Sequence, residues 1–167
     1  LNEAYINLYS VNTELGKWLR TKNVIEKIGD IVFLHGGISP DLVRSGLTLD
    51  EINQTARENI GKRSDSIETE TGKLVSSSKV GPYWYRGLVK EEVSQEEVTL
   101  ILKYSHAEKI VVGHTLVDSI SVFYENRIIA IDLDHTEYFK TNKIHALLIE
   151  EGNYFNINNG GVRFKIF

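Results

Sequence analysis

Phe33-Leu34-His35-Gly36-Gly37-Ile38-Ser39-Pro40 and Ile110-Val111-Val112-Gly113-His114-Thr115 decide how this chain is read. Each is an apolar run ending in a histidine beside glycine. Runs of Ile, Val, Phe and Leu read as buried strands. Ligands of open α/β sheets gather at the carboxyl ends of strands. Each histidine therefore sits where such a fold builds sites, and the flanking glycines let backbone or ligand approach closely. Neutral imidazole is a common metal ligand. Two of them placed alike point to one shared metal.

Outward from these strings, the composition sets bounds. The 167 residues suit a single domain over 1–167. Hydrophobic residues make up 41% and charged residues 25%, which is an ordinary globular mix. A net charge of −4 gives no basic face for nucleic acid or membrane, so neither is expected as a partner. No run approaches a membrane span, and the first twenty residues lack a signal-peptide pattern. The reading is of a cytoplasmic protein. Cysteine is absent, which leaves nitrogen and oxygen atoms to hold any metal.

The local elements follow from periodicity and caps. Tyr5, Leu8, Tyr9, Leu15, Trp18 and Leu19 form one stripe and predict a helix over 3–21. Residues 24–35 read as a hairpin turning at 28–30. Ser39-Pro40-Asp41 opens a helical turn. Thr48-Leu49-Asp50-Glu51 resembles a capping box before a helix to about Gly61, with Ile52, Ala56 and Ile60 as its apolar edge. Residues 62–80 are polar and predict a loop or cap. Ser94-Gln95-Glu96-Glu97 caps a helix with Val98, Ile101 and Leu102 inward. Beyond Ser119, Val122–Tyr124, Arg127–Ile131, Lys143–Ile149 and Tyr154–Ile157 read as successive antiparallel strands. Glu125-Asn126 and Glu151-Gly152-Asn153 are the turns between them.

Singly, a histidine at a strand end is equally well read as a hydrogen-bonded structural residue. Arg86, in Gly81-Pro82-Tyr83-Trp84-Tyr85-Arg86-Gly87 between the two histidine strings, reads on its own as a surface arginine stacked on Trp84 or Tyr83 at the mouth those strings share. Tyr85 lines the same mouth or packs beneath it. Asp132-Leu133-Asp134-His135 reads as a cation site or as a solvated strand end. His106 and His145 read as a helix-end and a strand residue, and Glu91-Glu92 and Glu96-Glu97 as solvated faces.

Taken together, His35-Gly36-Gly37-Ile38-Ser39-Pro40, Gly81–Gly87 and Gly113-His114-Thr115 resemble the calcineurin-like metallophosphoesterases. Within that superfamily they are most similar to the bacterial and Shewanella-like serine/threonine protein phosphatases. Leu15-Gly16-Lys17-Trp18-Leu19-Arg20 is similar to the same branch. The resemblance spans roughly residues 15–132. It implies two divalent metal ions (Mn, Fe or Zn) with His35 and His114 as ligands of one of them. It also implies Arg86 on the phosphate, and hydrolysis by a hydroxide bridging the metals. The implied substrate is a phosphorylated protein or a small phosphoester. The implied fold is α/β (α+β), half of a four-layer αββα sandwich with two mixed sheets and helices outside. Asp132 matches the family, but Leu133-Asp134 stand where relatives carry Thr-Gly.

Three family motifs are missing from this chain: Asp-x-His, Gly-Asp-x-x-Asp-Arg-Gly and Gly-Asn-His-Glu. They supply the second metal's ligands, the bridging aspartate and the general acid, so no catalytic acid falls within these residues. The expectation is a carboxyl-terminal portion of a phosphatase domain, inactive alone. Its partner would be the missing amino-terminal half or a second copy covering exposed apolar surface. The alternatives are a degenerate, non-catalytic binding module, an unrelated α/β binding domain, and a nucleotide phosphoesterase.

Overall fold

In the computed structural model, which describes residues 2–134, 136 and 144–167, the strand runs alternate faces with period two. Val32 and Leu34 of β2 (Ile31–Leu34), Ile110 and Val112 of β3 (Lys109–Val112), and Ile128 and Ala130 of β5 (Ile128–Ala130) point to one face. Ile31, Val111 and Ile129 point to the other. Both sets are buried, so the sheet is covered on both sides and its strands are apolar throughout.

Five strands form this sheet in the order β1-β2-β3-β5-β4, with β1 at Ile25–Ile28 and β4 at Ser121–Phe123. β2, β3 and β5 run parallel, and the two edge strands are antiparallel to their neighbours. The predicted hairpin is present, with Ile25 opposite Leu34 and Gly29 in the left-handed region of its turn. The expectation that all strands after Ser119 are antiparallel neighbours is corrected at β5, which joins β3 in parallel.

Helices cover the first face. They are α3 (Pro40–Arg44), α4 (Leu49–Asn59), α5 (Glu70–Val75) and α6 (Gln95–Tyr104). Ser39, Thr48 and Ser94 cap α3, α4 and α6, and the last two complete capping boxes with Glu51 and Glu97. Glu97 is thus part of a cap rather than only a solvated charge. On α4, Asn53 is buried among apolar residues. Its Oδ1 accepts from the backbone N–H groups of Val24 and Ile25, both at 2.9 Å, and its Nδ2 donates to the Ile25 carbonyl. That side chain stands in for a missing strand neighbour where β1 begins.

A second, three-stranded antiparallel sheet covers the other face. It comprises β6 (His145–Glu150), β7 (Asn153–Asn158) and β8 (Arg163–Lys165), and β8 was not anticipated. Tyr154, Leu147 and Ile149 pack against Ile31, Val111 and Ile129. Tyr154 also stacks on Phe167 beneath the Lys109 ammonium. The described residues therefore form an α/β stack of helices, mixed sheet and second sheet. Among them no helix is long and apolar enough to cross a membrane.

Two expectations are corrected. The helix over 3–21 is two helices, α1 (Asn2–Leu8) and α2 (Glu14–Leu19). Thr13 breaks it by accepting from the Gly16 N–H while donating to the Leu8 carbonyl. Hydroxyl groups that satisfy the backbone locally compete with a continuous helix in this way. The Arg20 guanidinium then clamps the break, donating to the carbonyls of Tyr9, Gly16 and Ile60. The stripe on these helices does not face the core, since Tyr5, Leu8, Leu15 and Trp18 are exposed. Residues 62–80 are not all loop either. They hold a 3₁₀ turn (Ser64–Ser66) and α5, with Ile67 and Val75 buried. Their few apolar residues suffice because α5 needs only one side against α4.

Candidate active site

Parallel pairing sets the site. Leu34 is in register with Val112, and Val112 with Ala130. His35, His114 and Asp132 thus emerge at the carboxyl ends of three adjacent parallel strands. The ladder continues one step past the strands, where the Gly113 N–H donates to the His35 carbonyl at 2.9 Å. The two imidazoles lie with ring centres 4.8 Å apart and planes tilted by 55°. Sequence reading placed both at one site, and the structure brings them together.

The third string closes on the first through glycine. The N–H groups of Gly36 and Gly37 donate to the Pro82 carbonyl at 2.9 and 3.3 Å. The Ser39 hydroxyl donates to the Val80 carbonyl at 2.8 Å. A Cβ on Gly36 would lie 2.7 Å from the Pro82 oxygen and 2.8 Å from the Trp84 nitrogen, so only glycine fits there. Residues 81–87 then turn back on themselves, with Trp84 and Tyr85 donating to the Gly81 carbonyl. This turn presents Trp84 and Arg86 to the histidines.

Arg86 is found neither stacked on Trp84 nor free at the surface. Its Nη1 donates to the backbone carbonyl of His114 at 2.9 Å. His114 needs that support, because its φ is +62° and Thr115 N–H closes a three-residue turn onto the Gly113 carbonyl at 2.6 Å. A γ-turn with positive φ is strained, and its strain persists only where neighbours over-determine it. The Trp84 indole meets the His114 ring nearly perpendicularly, with centres 5.1 Å apart. No pattern in the sequence marks this backbone conformation or the Trp84–His114 contact.

Electrostatics favour neutral imidazole at His114. Burial, then the nearby positive charge of Arg86 and His35, hold its pKa below the usual histidine range, against a smaller opposite pull from Asp132. Neutral imidazole is the form that ligates metal. Two such rings this close fit two nitrogen ligands of one divalent ion, and Asp132 adds a carboxylate within electrostatic reach. The set is incomplete: among the described residues no three His, Cys, Asp or Glu side chains converge as a metal cage. Tyr85 packs against the core and lines the cavity beside Trp84, Arg86 and His114, its hydroxyl pushed up to about 12 by burial and by carboxylates, chiefly Glu92.

The remaining candidates lie apart from this cluster. His106 follows α6 in a left-handed conformation and its carbonyl accepts from Lys27. His145 on the second sheet meets Asn156 through Nδ1 at 2.7 Å. His135, and Lys143 at the head of the predicted strand, lie outside the described residues.

No family model and no curated protein sequence matches the chain. Solved structures do. The chain is similar to cold-active protein tyrosine phosphatases. A cold-active protein tyrosine phosphatase matches at 34% identity and a TM-score of 0.83, over 96% of this chain and 46% of its own. The cold-active protein-tyrosine phosphatase of a psychrophilic Shewanella species matches at 33% and 0.83, over 96% and 48%. A point mutant of such an enzyme matches at 33% and 0.84, with the same coverage. The chain thus spans about half the length of the structures it matches. The likeness extends over 96% of this chain and supports a phosphatase.

Proposed function

We propose that these residues supply part of the active site of a metal-dependent phosphomonoesterase acting on a phosphorylated protein side chain. The observation that carries this reading is the convergence of His35, His114 and Arg86 at the ends of parallel strands, in a fold similar to protein tyrosine phosphatases. Phosphatase chemistry needs an activated nucleophile and cations around the transferred phosphoryl group. A cysteine thiolate is not available here, because the chain has none. Two imidazoles are available at the ends of adjacent strands, and they suit a divalent ion.

Such an ion, when bound, lowers the pKa of coordinated water and draws charge from phosphate oxygens. His35 and His114 would hold such an ion at the ends of β2 and β3. Arg86 spends one N–H on the His114 carbonyl. Its other donors are free in type to meet phosphate oxygens, so one guanidinium braces a metal ligand and presents positive charge to the substrate. These residues supply only two of the metal ligands and no general acid, and the structures they resemble are about twice as long. The serine/threonine preference implied by the sequence resemblance and the tyrosine preference named for the neighbours belong to the same reaction on different leaving groups.

The test compares these 167 residues with a form extended upstream, using p-nitrophenyl phosphate, phosphopeptides and nucleotides with added Mn²⁺. The extended form turns over phosphomonoester, and His35→Ala or His114→Ala abolishes it. The 167 residues alone show no turnover. An extended form carrying the three upstream motifs yet inactive with metal would refute the assignment. Turnover by the short chain, lost in both histidine variants, would show that it holds a complete site.

A further inference from the structure

A cavity of about 390 Å³ beside His114 carries more charge than the phosphate reading uses. Arg86, Lys79 and Lys90 line it against a single carboxylate, Glu92. The whole chain bears a net charge of −4, so this excess of cations is local. Both lysines are exposed, and among the described residues neither ammonium meets a carboxylate. Their backbones are fixed all the same. The Lys90 N–H donates to the Arg86 carbonyl at 3.0 Å, so the two residues stand one helical turn apart. The Lys79 N–H donates to the Ser77 hydroxyl at 3.2 Å, and the adjoining Val80 carbonyl accepts from Ser39 at 2.8 Å. Each lysine thus has an anchored stem and an unpaired head on the cavity that Arg86 and His114 share. The rest of the wall, formed by Ser78, Trp84 and Tyr85, is uncharged and leaves the sign of the cavity to these groups.

We infer that Lys79 and Lys90 form a second anion subsite beside the phosphate position, which takes the carboxylates of acidic residues flanking the phosphorylated side chain. The substrate class is then an acidic phosphopeptide segment. The inference rests on the phosphomonoesterase reading above and narrows the substrate of that site. Side chains one helical turn apart are separated by about 5–6 Å. An extended peptide advances about 3.3–3.6 Å per residue. With a phosphate on Arg86, the Lys90 ammonium therefore faces a substrate residue one or two positions away. An ammonium is a point charge on a flexible stem, which suits carboxylates whose positions vary more than a phosphate's. Unpaired cations lining a cleft also raise its attraction for anions, and that attraction falls with salt. Glu92 opposes it from the same cavity, so removing its charge should strengthen the effect.

The experiment measures binding rather than turnover. Two peptides carry the phosphonate isostere of phosphotyrosine, whose carbon–phosphorus bond resists hydrolysis. One has Asp and Glu on both sides of it, and the other has Ala and Gln. Each is titrated calorimetrically into the full-length protein with Mn²⁺, at low and at high salt. The acidic peptide binds about three- to tenfold tighter at low salt, and the ratio shrinks at high salt. Lys79→Gln combined with Lys90→Gln removes the ratio, Lys79→Arg with Lys90→Arg keeps it, and Glu92→Gln enlarges it. The Arg pair guards against loss of fold. Equal affinities in the parent protein would overturn the inference. So would a ratio that survives the Gln pair. An acidic peptide without the phosphonate that binds as tightly would also overturn it, because the lysines would then form a docking patch independent of the site. Methylene-bridged ADP that binds tighter than the acidic peptide, through the same lysines, would overturn the peptide assignment in favour of a nucleotide. A protein with the lysine-dependent ratio that hydrolyses no phosphomonoester retains the anion subsite and loses the proposed activity. One that hydrolyses p-nitrophenyl phosphate without the ratio does the reverse. Binding of neither phosphonate peptide overturns both.

Discussion

Replacing Gly36 by alanine tests whether the three strings form one rigid unit. The added methyl would sit 2.7 Å from the Pro82 oxygen, 2.8 Å from the Trp84 nitrogen and 2.8 Å from the Tyr83 carbonyl carbon. All three are backbone atoms, so no side chain can swing aside. The 81–87 turn must back away, which stretches the 2.9 and 3.3 Å bonds from Gly36 and Gly37 to Pro82. Overpacking of this kind costs about 1–3 kcal/mol. Weakening two hydrogen bonds adds about 0.5–1.5 kcal/mol each when they are lost. A total of about 2–6 kcal/mol corresponds to a fall in Tm of about 4–24 °C for a chain of this size. The same retreat carries Trp84 and Arg86 away from His114. Calorimetric melting gives the stability change, and Trp emission in a Trp18→Phe background reports the Trp84 environment. Gly46→Ala is the control, because Gly46 has open space around it and carries instead a positive φ, which Gly36 lacks. It should cost only about 1–2 kcal/mol of backbone strain. If Gly36→Ala melts no lower than Gly46→Ala and leaves Trp84 emission unchanged, the tight junction between the strings is refuted.

Arg86→Ala should weaken Zn²⁺ or Co²⁺ binding at the histidine pair by about tenfold or more, because groups that orient a metal ligand typically matter to that extent. Titrations followed by the histidine ring NMR signals check this, and unchanged metal affinity would restrict Arg86 to the phosphate. Asn53→Ala leaves two strand N–H groups and one carbonyl unpartnered in the interior. It should lower stability by about 3 kcal/mol in chemical denaturation, and a loss under 1 kcal/mol would contradict the account of β1. Tyr85 ionises late, near 12, so its contribution to stability is intact below about pH 10, the ordinary tyrosine value, and fades as pH rises toward 12. Tyr85→Phe should therefore flatten the alkaline decline seen in melting between pH 9 and 12, and an unchanged profile would exclude Tyr85 as its source.

The strands of the first sheet and the capped helices were legible because their signals are local. Four-residue apolar runs, Ser39 before Pro40, and Thr48 and Ser94 three residues ahead of glutamate each fix backbone by short-range physics. The histidine pair was legible because both residues follow such runs directly. What escaped were features set by tertiary context. The apolar spacing across 3–21 is genuine, but Thr13 and the Arg20 clamp divide it, and no periodicity records a side chain that bonds backward. α5 hides in polar sequence because the residues it buries are Gly72 and Val75. The parallel placement of β5 depends on which edge of β3 is vacant, which no stretch of sequence states. Neither reading of Arg86, on phosphate or stacked on Trp84 or Tyr83, includes its bond to His114, since a hydrogen bond to a backbone carbonyl 28 positions away leaves no mark in residue type.

The parallel pairing of β2 with β3 has a consequence for the order of assembly. His35 and His114 are about eighty positions apart, and the chain between them contains α3, α4, α5 and α6. Those helices rest on local contacts and can form within microseconds, whereas closing so long a loop waits on sheet formation. The meeting of the His35 and His114 rings, 4.8 Å apart in the folded chain, is therefore a clock for the last stage of folding. In a refolding experiment helical signal should return first, and the histidine pair should acquire its ligand geometry only when the central strands have met.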